Sequence, residues 1–462
     1  MGTQHDRQMA PSTEHSLDAE LSAFVTEGMA HYHVPGVAVG IYHDGVEQVG
    51  GFGVTNLNHP LPVDARTLFQ IGSISKTFTG TAAMRLVEAG KLDLQAPIRT
   101  YLPGLNLADA DATERATMQH CLTHTGGWLG DYFDDLGAGD DALARIVAKM
   151  ADVPQVAPLG TLWSYNNAGF YLAGRVIEAL TGKPFEATLQ ELVLDPLGLA
   201  RTFFFARNVI TERFAVGHNV KGDTPEVARP WELPRTANAA GGLISDIGDL
   251  FTYARFHMGD GTAADGSRVL SPESLAYMQS PLFDKGHDGE MGLTWHLNTV
   301  GGVRTVRHGG GTVGQQTLLV LAPSRNFALV VLTNSSRGSE LHGAVTTWIL
   351  KRHLGIDELE PALLDLTADA LAPYVGRYRA AMNDLDLTVR DGGLVLQMTP
   401  RGGLPRADEP EIPPPVRVAL AGENLLIGLD EPIKGNRGEF IRDPDGTVGW
   451  LRLGSRAHRR VG

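Results

Sequence analysis

Ser73-Ile74-Ser75-Lys76 places a hydroxyl and an amine three residues apart at the start of a helix-like run. Positions i and i+3 of a helix share a face, so Ser73 and Lys76 are expected one turn apart. A serine hydroxyl is a weak nucleophile until a base takes its proton. A lysine held neutral by burial and nearby positive charge can be that base. The N-terminus of the helix would also favour an oxyanion developing near Ser73. Lys76 is the first of only eight lysines and lies in an otherwise uncharged stretch, residues 71–83, where a charge needs a partner or a purpose. Taken alone, the same four residues also read as a helix start with a surface lysine.

A second candidate is Tyr165-Asn166-Asn167. A tyrosine near a lysine can act as acid or base, and an asparagine two residues on can donate to a carbonyl and accept from the lysine. Read singly, this is a polar loop with Asn167 as the N-cap of a helix over residues 168–180. The third is His308-Gly309-Gly310-Gly311, at the head of a strand over residues 315–321. Glycines let a ligand backbone come close to a strand edge. Gly309-x-Gly311-x-x-Gly314 also matches the dinucleotide fingerprint, but a strand follows it and no βαβ unit surrounds it.

Other chemistries find little support. His120 and His124 are four apart, yet Cys121 stands where a zinc protease would carry Glu, so His124 reads as a structural residue of the turn Thr123-His124-Thr125-Gly126-Gly127. Neither a G-x-S-x-G elbow nor a P-loop occurs. No metal and no cofactor are expected.

The elements that must position these residues come from both ends of one region. A helix suits residues 17–32. Val37, Val39 and Ile41 alternate, Asp44-Gly45 turns, and residues 46–49 return, opening an antiparallel sheet. Residues 73–86 turn helical and Gly90 closes them. Residues 90–200 are rich in helical periodicity. Two apolar strand-like runs, 315–321 and 327–333, are followed by a helix with Leu341, Val345, Trp348, Ile349 and Arg352 on one face and Gly355 at its end. The expected class is α/β (α+β): an antiparallel sheet flanked by helices, with an inserted helical region. The composition shifts near residue 357. An acidic linker, 357–371, leads to short alternating strands around Asp391-Gly392-Gly393 and Asp443-Pro444-Asp445-Gly446, which predict a small C-terminal β-barrel over 372–462. Residues 401–415 carry five prolines and read as a loop. The domains are therefore a mobile polar N-terminus 1–15, a unit 16–356, the linker and the barrel.

The composition bounds the function. The chain has 462 residues, 43% hydrophobic and 20% charged, with a net charge of −14. It has no basic block, so nucleic acid is not an expected partner, and no apolar run long enough for a membrane span. One cysteine, Cys121, rules out an intrachain disulfide framework and reads as a buried small hydrophobe. The N-terminal residues lack the apolar core of a signal peptide, and Asp6 stands where myristoylation needs Ser or Thr, so the expected compartment is the cytoplasm.

Taken in order, S-x-x-K at Ser73/Lys76, Y-x-N at Tyr165/Asn167 and H-x-G at His308/Gly310 resemble the penicillin-recognising serine enzymes: class C β-lactamases, penicillin-binding proteins, and their esterase and D-aminopeptidase relatives. The resemblance covers residues 17–356, and residues 122–127 and 241–245 look like the family too. It implies that Ser73 is acylated, that Lys76 and Tyr165 relay its proton, that Asn167 orients the substrate, and that His308 begins the edge strand on which the substrate lies. The backbone N–H groups of Ser73 and Gly311 would form the oxyanion hole. The chain departs from the family at His308-Gly309-Gly310, where penicillin-binding proteins and β-lactamases usually carry Lys-Thr-Gly. Histidine is mostly neutral at pH 7, so the permanent cation that helps hold a substrate carboxylate is missing from that position. H-x-G looks like the esterases, D-peptidases and penicillin-binding-protein-type thioesterases that release and cyclise nonribosomal peptides. The segment from Leu371 to Tyr378 is similar to the lipocalin-like domain of some of these enzymes. The barrel is expected to shape the substrate entrance and to supply no catalytic group. The resemblance implies a serine acyl-transfer enzyme acting on a peptide amide, ester or thioester, with water or an amine as acceptor. Its partner would be a small peptide, an ester or a peptidyl thioester, the last on a carrier protein. The alternatives are a macrocyclising thioesterase, and a β-lactamase or non-catalytic β-lactam sensor.

Overall fold

The computed structural model describes residues 13–356, 361–405 and 412–461. Its main element is a nine-stranded sheet in the order Thr13–Ser16, Val46–Gly53, Gly36–His43, Phe327–Thr333, Gln315–Ala322, Val303–Thr312, His296–Val300, Glu290–Met291 and Phe283–Asp284. All its pairings are antiparallel except that of Thr13–Ser16 with Val46–Val49. The expected polar N-terminus is thus shorter than residues 1–15, because Thr13–His15 already pair in the sheet; residues 1–12 lie outside the described part.

Both faces of the sheet are covered, and the strand period of two sorts the side chains between them. Val37, Val39 and Ile41 face the helices Ala19–Tyr32 and Gly338–Leu354, through Leu21, Val25, Leu341, Val345 and Ile349. Ala38 and Tyr42 face the larger core, which holds the helices Ser75–Glu88, Ala168–Thr181 and Ile247–Met258. The first helix starts two residues later than Leu17, because the Asp18 carboxylate accepts from the Leu21 N–H (2.8 Å) and caps it. Among the described residues no helix is long and apolar enough to cross a membrane.

The C-terminal unit is a closed antiparallel barrel of eight strands, from Gly376–Arg379 to Arg456–Arg460, sealed by the pairing of Tyr378 with Arg460. Leu385, Leu387, Leu394, Leu396, Phe440 and Leu451 fill its interior. Ahead of it, residues 357–360 of the expected linker lie outside the described part; the Leu364 N–H donates to Leu420 O (2.7 Å), and Ala368–Leu371 is a short helix capped by Thr367. Of the expected proline-rich loop, residues 406–411 also lie outside it. Trp450 and Ala457 pack on Ala157 and Leu162, joining barrel to helical region.

Two glycines bring the sheet against the turn that carries Ser73. Gly72 has φ +53°, and a β-carbon there would stand 2.7 Å from Gly311 N. A β-carbon on Gly310 would stand 2.0 Å from Ile71 O and 2.4 Å from Thr317 Oγ1, whereas one on Gly311 would meet only the Gln316 amide at 3.0 Å. Gly310→Ala is therefore expected to cost about 2–4 kcal/mol through a forced shift of backbone against backbone, and Gly311→Ala less than about 1 kcal/mol. Thermal melts of the two variants check this; equal losses would contradict it.

Candidate active site

Ser73 does not begin an α-helix. It lies in a 3₁₀ turn, Gly72–Ile74, that runs into the helix Ser75–Glu88. The turn follows the short strand Phe69–Gln70, paired with Ile244–Ser245. The middle serine of the motif locks it: Ser75 Oγ donates to Gly72 O (2.6 Å) and accepts from the Leu243 N–H (3.0 Å). This ties the stretch 241–245 to the Ser73 turn and brings Ala240 over Lys76.

Lys76 is fully buried. Its Nζ lies 3.1 Å from Ser73 Oγ, 2.7 Å from Asn167 Oδ1 and 2.7 Å from Ala240 O. Burial holds its pKa well below the usual lysine range, the Arg456 guanidinium lowers it further, and Asp131 opposes. A neutral amine has two hydrogens and one lone pair. The two carbonyl oxygens take the hydrogens, which leaves the lone pair facing Ser73.

Asn167 is spent on this network. The helix Ala168–Thr181 begins after it, but its side chain makes no capping hydrogen bond. Its Oδ1 accepts from Lys76 and its Nδ2 donates to Asp131 Oδ1 (2.7 Å), so the amide orientation is set from both ends. The Arg456 guanidinium holds the Asp131 carboxylate from the other side, with Nε 2.9 Å from Oδ2 and Nη2 3.3 Å from Oδ1. Arg456 also lies over the Tyr165 ring, 4.7 Å from its centroid, and the Tyr165 N–H donates to Ser455 O (2.8 Å). Lys76 stands 4.9 Å from the same ring and His124 stacks on it at 4.3 Å. Burial pushes the Tyr165 hydroxyl above its ordinary range, against the opposing effects of Ser73 and Arg456, so it is a protonated phenol at neutral pH.

His308 lies inside the strand Val303–Thr312 and does not begin it. Val303 to Arg307 pair with His296–Val300; beyond Arg307 that neighbour ends. The two-residue turn Val313-Gly314 closes the hairpin on Thr312 and Gln315. Hydrogen-bonded pairs alternate from there, so the N–H of Gly311 points away from the neighbouring strand to the open edge. His308 Nδ1 donates to Gly309 O (2.6 Å), leaving Nε2 a buried acceptor without a partner among the described residues. Burial and Lys76 lower the His308 pKa to about 3, so the ring is neutral.

Ser73, Tyr165, Asn167, His308, Gly310 and Gly311 thus line one cavity of about 700 Å³, with Lys76 beneath its floor. Asp131, His296 and Arg456 were not foreseen. The barrel was expected to shape the substrate entrance and supply no catalytic group; its turn Gly454-Ser455 carries Arg456 into the cavity wall, where it holds Asp131. Nothing local in the sequence marks that contact, which joins residues 325 positions apart. His120 and His124 have separate partners, Thr117 and the Asn166 backbone. Cys121 is buried and free.

Residues 21–353 match the family model described as Beta-lactamase. Penicillin-binding protein 4 of Amycolatopsis lactamdurans is 35% identical over 310 residues, 66% of this chain and 81% of its own. An unguisins hydrolase of Aspergillus violaceofuscus is 25% identical over 395 residues, 77% of this chain and 67% of its own. The crystal structure of SurE with D-Leu superposes with a TM-score of 0.71 at 26% identity, over 96% of this chain and 99% of that one. The chain belongs to the β-lactamase family of serine hydrolases and carries an eight-stranded barrel behind the family's fold.

Proposed function

We propose that the chain is an acyl-transfer enzyme of the S-x-x-K type that takes the acyl group of a small peptide amide, ester or thioester onto Ser73 and passes it to water or an amine. The observation that carries this is the fully buried Lys76, whose Nζ lies 3.1 Å from Ser73 Oγ and whose pKa burial holds well below the usual lysine range. Ser73 Oγ attacks the carbonyl as Lys76 Nζ takes its proton. The N–H groups of Ser73 and Gly311 receive the oxyanion, a preorganised arrangement that favours the tetrahedral intermediate over the planar carbonyl. On collapse, the Tyr165 hydroxyl gives its proton to the leaving group and Lys76 returns one to Tyr165. Asn167 orients the substrate carbonyl side while holding Lys76. Deacylation runs the same path with the acceptor in the leaving group's place.

SurE binds D-Leu and matches across both domains, which favours a D-amino-acid unit in the substrate or acceptor. The resemblance of H-x-G at His308 and Gly310 supports a second reading: release of a peptidyl thioester from a carrier protein by an internal amine. In either case the barrel turn, with Arg456, forms one wall of the acyl site, and no cofactor takes part.

Covalent labelling tests the nucleophile. A fluorophosphonate should add one label to the intact protein and none to Ser73→Ala; a label that persists in Ser73→Ala overturns the reading. Lys76→Ala and Tyr165→Phe should each lower kcat by about 10² or more, and the double variant little further, because groups acting as one unit lose activity non-additively. Losses that multiply would argue against a shared relay.

Charge changes beside Lys76 should move the acid limb of the labelling rate in opposite directions. Only neutral Lys76 is a base, so the rate rises as pH passes through its pKa. Arg456→Met removes a charge that lowers this pKa, and the limb moves to higher pH. Asp131→Asn removes a charge that raises it, and the limb moves to lower pH. Labelling rates measured across pH on both variants check the signs.

A further inference from the structure

A second buried lysine stands on the other side of the cavity. Lys285 lies between the short strand Phe283–Asp284 and the turn Gly286–Asp288, and is 2% exposed. Its Nζ is 3.1 Å from His296 Nδ1 and 4.9 Å from the centroid of Trp163. Its backbone is clamped, the N–H donating to Gly289 O (2.8 Å) and the carbonyl accepting from Arg452 of the barrel. Among the described residues no carboxylate pairs with it: Arg452 takes Asp288 and Glu439, and Arg304 takes Glu290. An amine buried at this cost, with an imidazole as its partner, is there to hold the imidazole.

That imidazole lines the cavity with Ser73. The His296 ring meets His308 edge-on at 5.2 Å and lies nearly parallel to Tyr165 at 6.4 Å. Burial and Lys285 hold it neutral. A neutral imidazole carries one hydrogen. With Lys285 donating to Nδ1, that hydrogen is on Nε2, and His296 is a donor. His308 has the reverse arrangement, its hydrogen on Nδ1 and its Nε2 a buried acceptor with no partner among the described residues. A molecule between them must accept from one ring and donate to the other. Water can do this and still keep a second lone pair for attack. A neutral amine has one lone pair, and accepting from His296 uses it up.

We propose that Lys285 is a positioning residue which fixes the tautomer of His296, so that the His296–His308 pair holds water, in preference to an amine, as the acceptor for the acyl group on Ser73. This rests on the acyl-enzyme reading above. The groups facing Lys285 are His296, Asp288 and Glu290 from its own hairpin, Arg307 from the next strand and Arg452 from the barrel. Burial, helped by the two arginines, lowers its pKa to about 7. Below that pH the ammonium can only donate and His296 is fixed. Above it the neutral amine can also accept, and the tautomer is released. The preference for water is therefore full below pH 7 and declines as pH rises through it.

The test uses the full chain, p-nitrophenyl butyrate as acyl donor and glycinamide as the competing amine. The nitrophenolate burst reads acylation, the steady state reads deacylation, and the ratio of butyrate to butyryl-glycinamide reads the acceptor. In Lys285→Met, the burst should stay within about twofold of the unaltered protein, while deacylation falls tenfold or more and the product ratio moves toward the amide. Lys285→Gln does not titrate, and its amide can donate or accept, as the neutral amine can. It should show the high-pH product ratio throughout and lose the step near pH 7 that the unaltered protein shows with the same amine. If Lys285→Met lacks a cooperative thermal transition, Lys285→Gln alone decides. A step that persists in Lys285→Gln overturns the proposal, as does a folded Lys285→Met with the original product ratio, or a burst that falls in parallel with deacylation. Failure of a fluorophosphonate to label Ser73 in the unaltered protein would instead remove the acyl-enzyme reading itself.

Discussion

Keeping one amine dry governs the architecture around Ser73. An ammonium taken into a protein interior loses several kcal/mol of solvation, which a neutral amine does not. Lys76 is enclosed on all sides: by its own helix, by Ala240 and by Asn167. Each of those neighbours must be in place for the hydrogens of Nζ to be used up and its lone pair to face Ser73. The inserted helical region supplies Asn167, the segment before Ile244–Ser245 supplies Ala240 O, and Ser75 ties that segment to the turn. The fold can be understood as the set of connections that lets three distant segments close on one nitrogen.

The network does not end at Asn167. Its Nδ2 donates to Asp131, and Asp131 is held by Arg456 of the barrel. Asp131 and Arg456 act on Lys76 with opposite signs, so their ion pair largely cancels at a distance. What remains is orientation: the carboxylate fixes the Asn167 amide, and the guanidinium fixes the carboxylate while lying over Tyr165. Losing the barrel would therefore loosen the site through hydrogen bonds as well as open it to water.

The parts of this site that local spacing can reveal were legible in the sequence. Ser73 and Lys76 are one turn apart, Tyr165 and Asn167 two residues apart, and Gly310 stands where the strand must pass Ile71 O. The alternating runs also foretold the sheet, its two flanking helices and the barrel. His308 was read at the head of residues 315–321, which form the next strand; its own strand, Val303–Thr312, was missed, although Val303, Thr305 and His308 fall at its buried positions with Val306, because the charged Arg304 and Arg307 between them hid the run. Asn167 was read as a helix cap because its position is that of a cap; its side chain is used elsewhere. Asp131 and Arg456 act through a contact between segments far apart in the chain, and Lys285 and His296 meet across short strands and a turn with no regular spacing; no period or motif carries either contact.

The substitution of histidine for the family's usual lysine at position 308 takes on a sense from these contacts. A permanent cation on that strand would stand near Lys76, with Lys285 and Arg456 close by, and would add to charge that burial already makes costly. Neutral His308 avoids this and leaves an open acceptor at the cavity wall. Arg456 brings a permanent positive charge to the cavity wall from the other domain, where Asp131 balances it. Because Asp131 balances that charge, Arg456 acts on the site through the hydrogen bonds it holds in place, so a residue outside the catalytic domain sets the orientation of Asn167 and, through it, of Lys76.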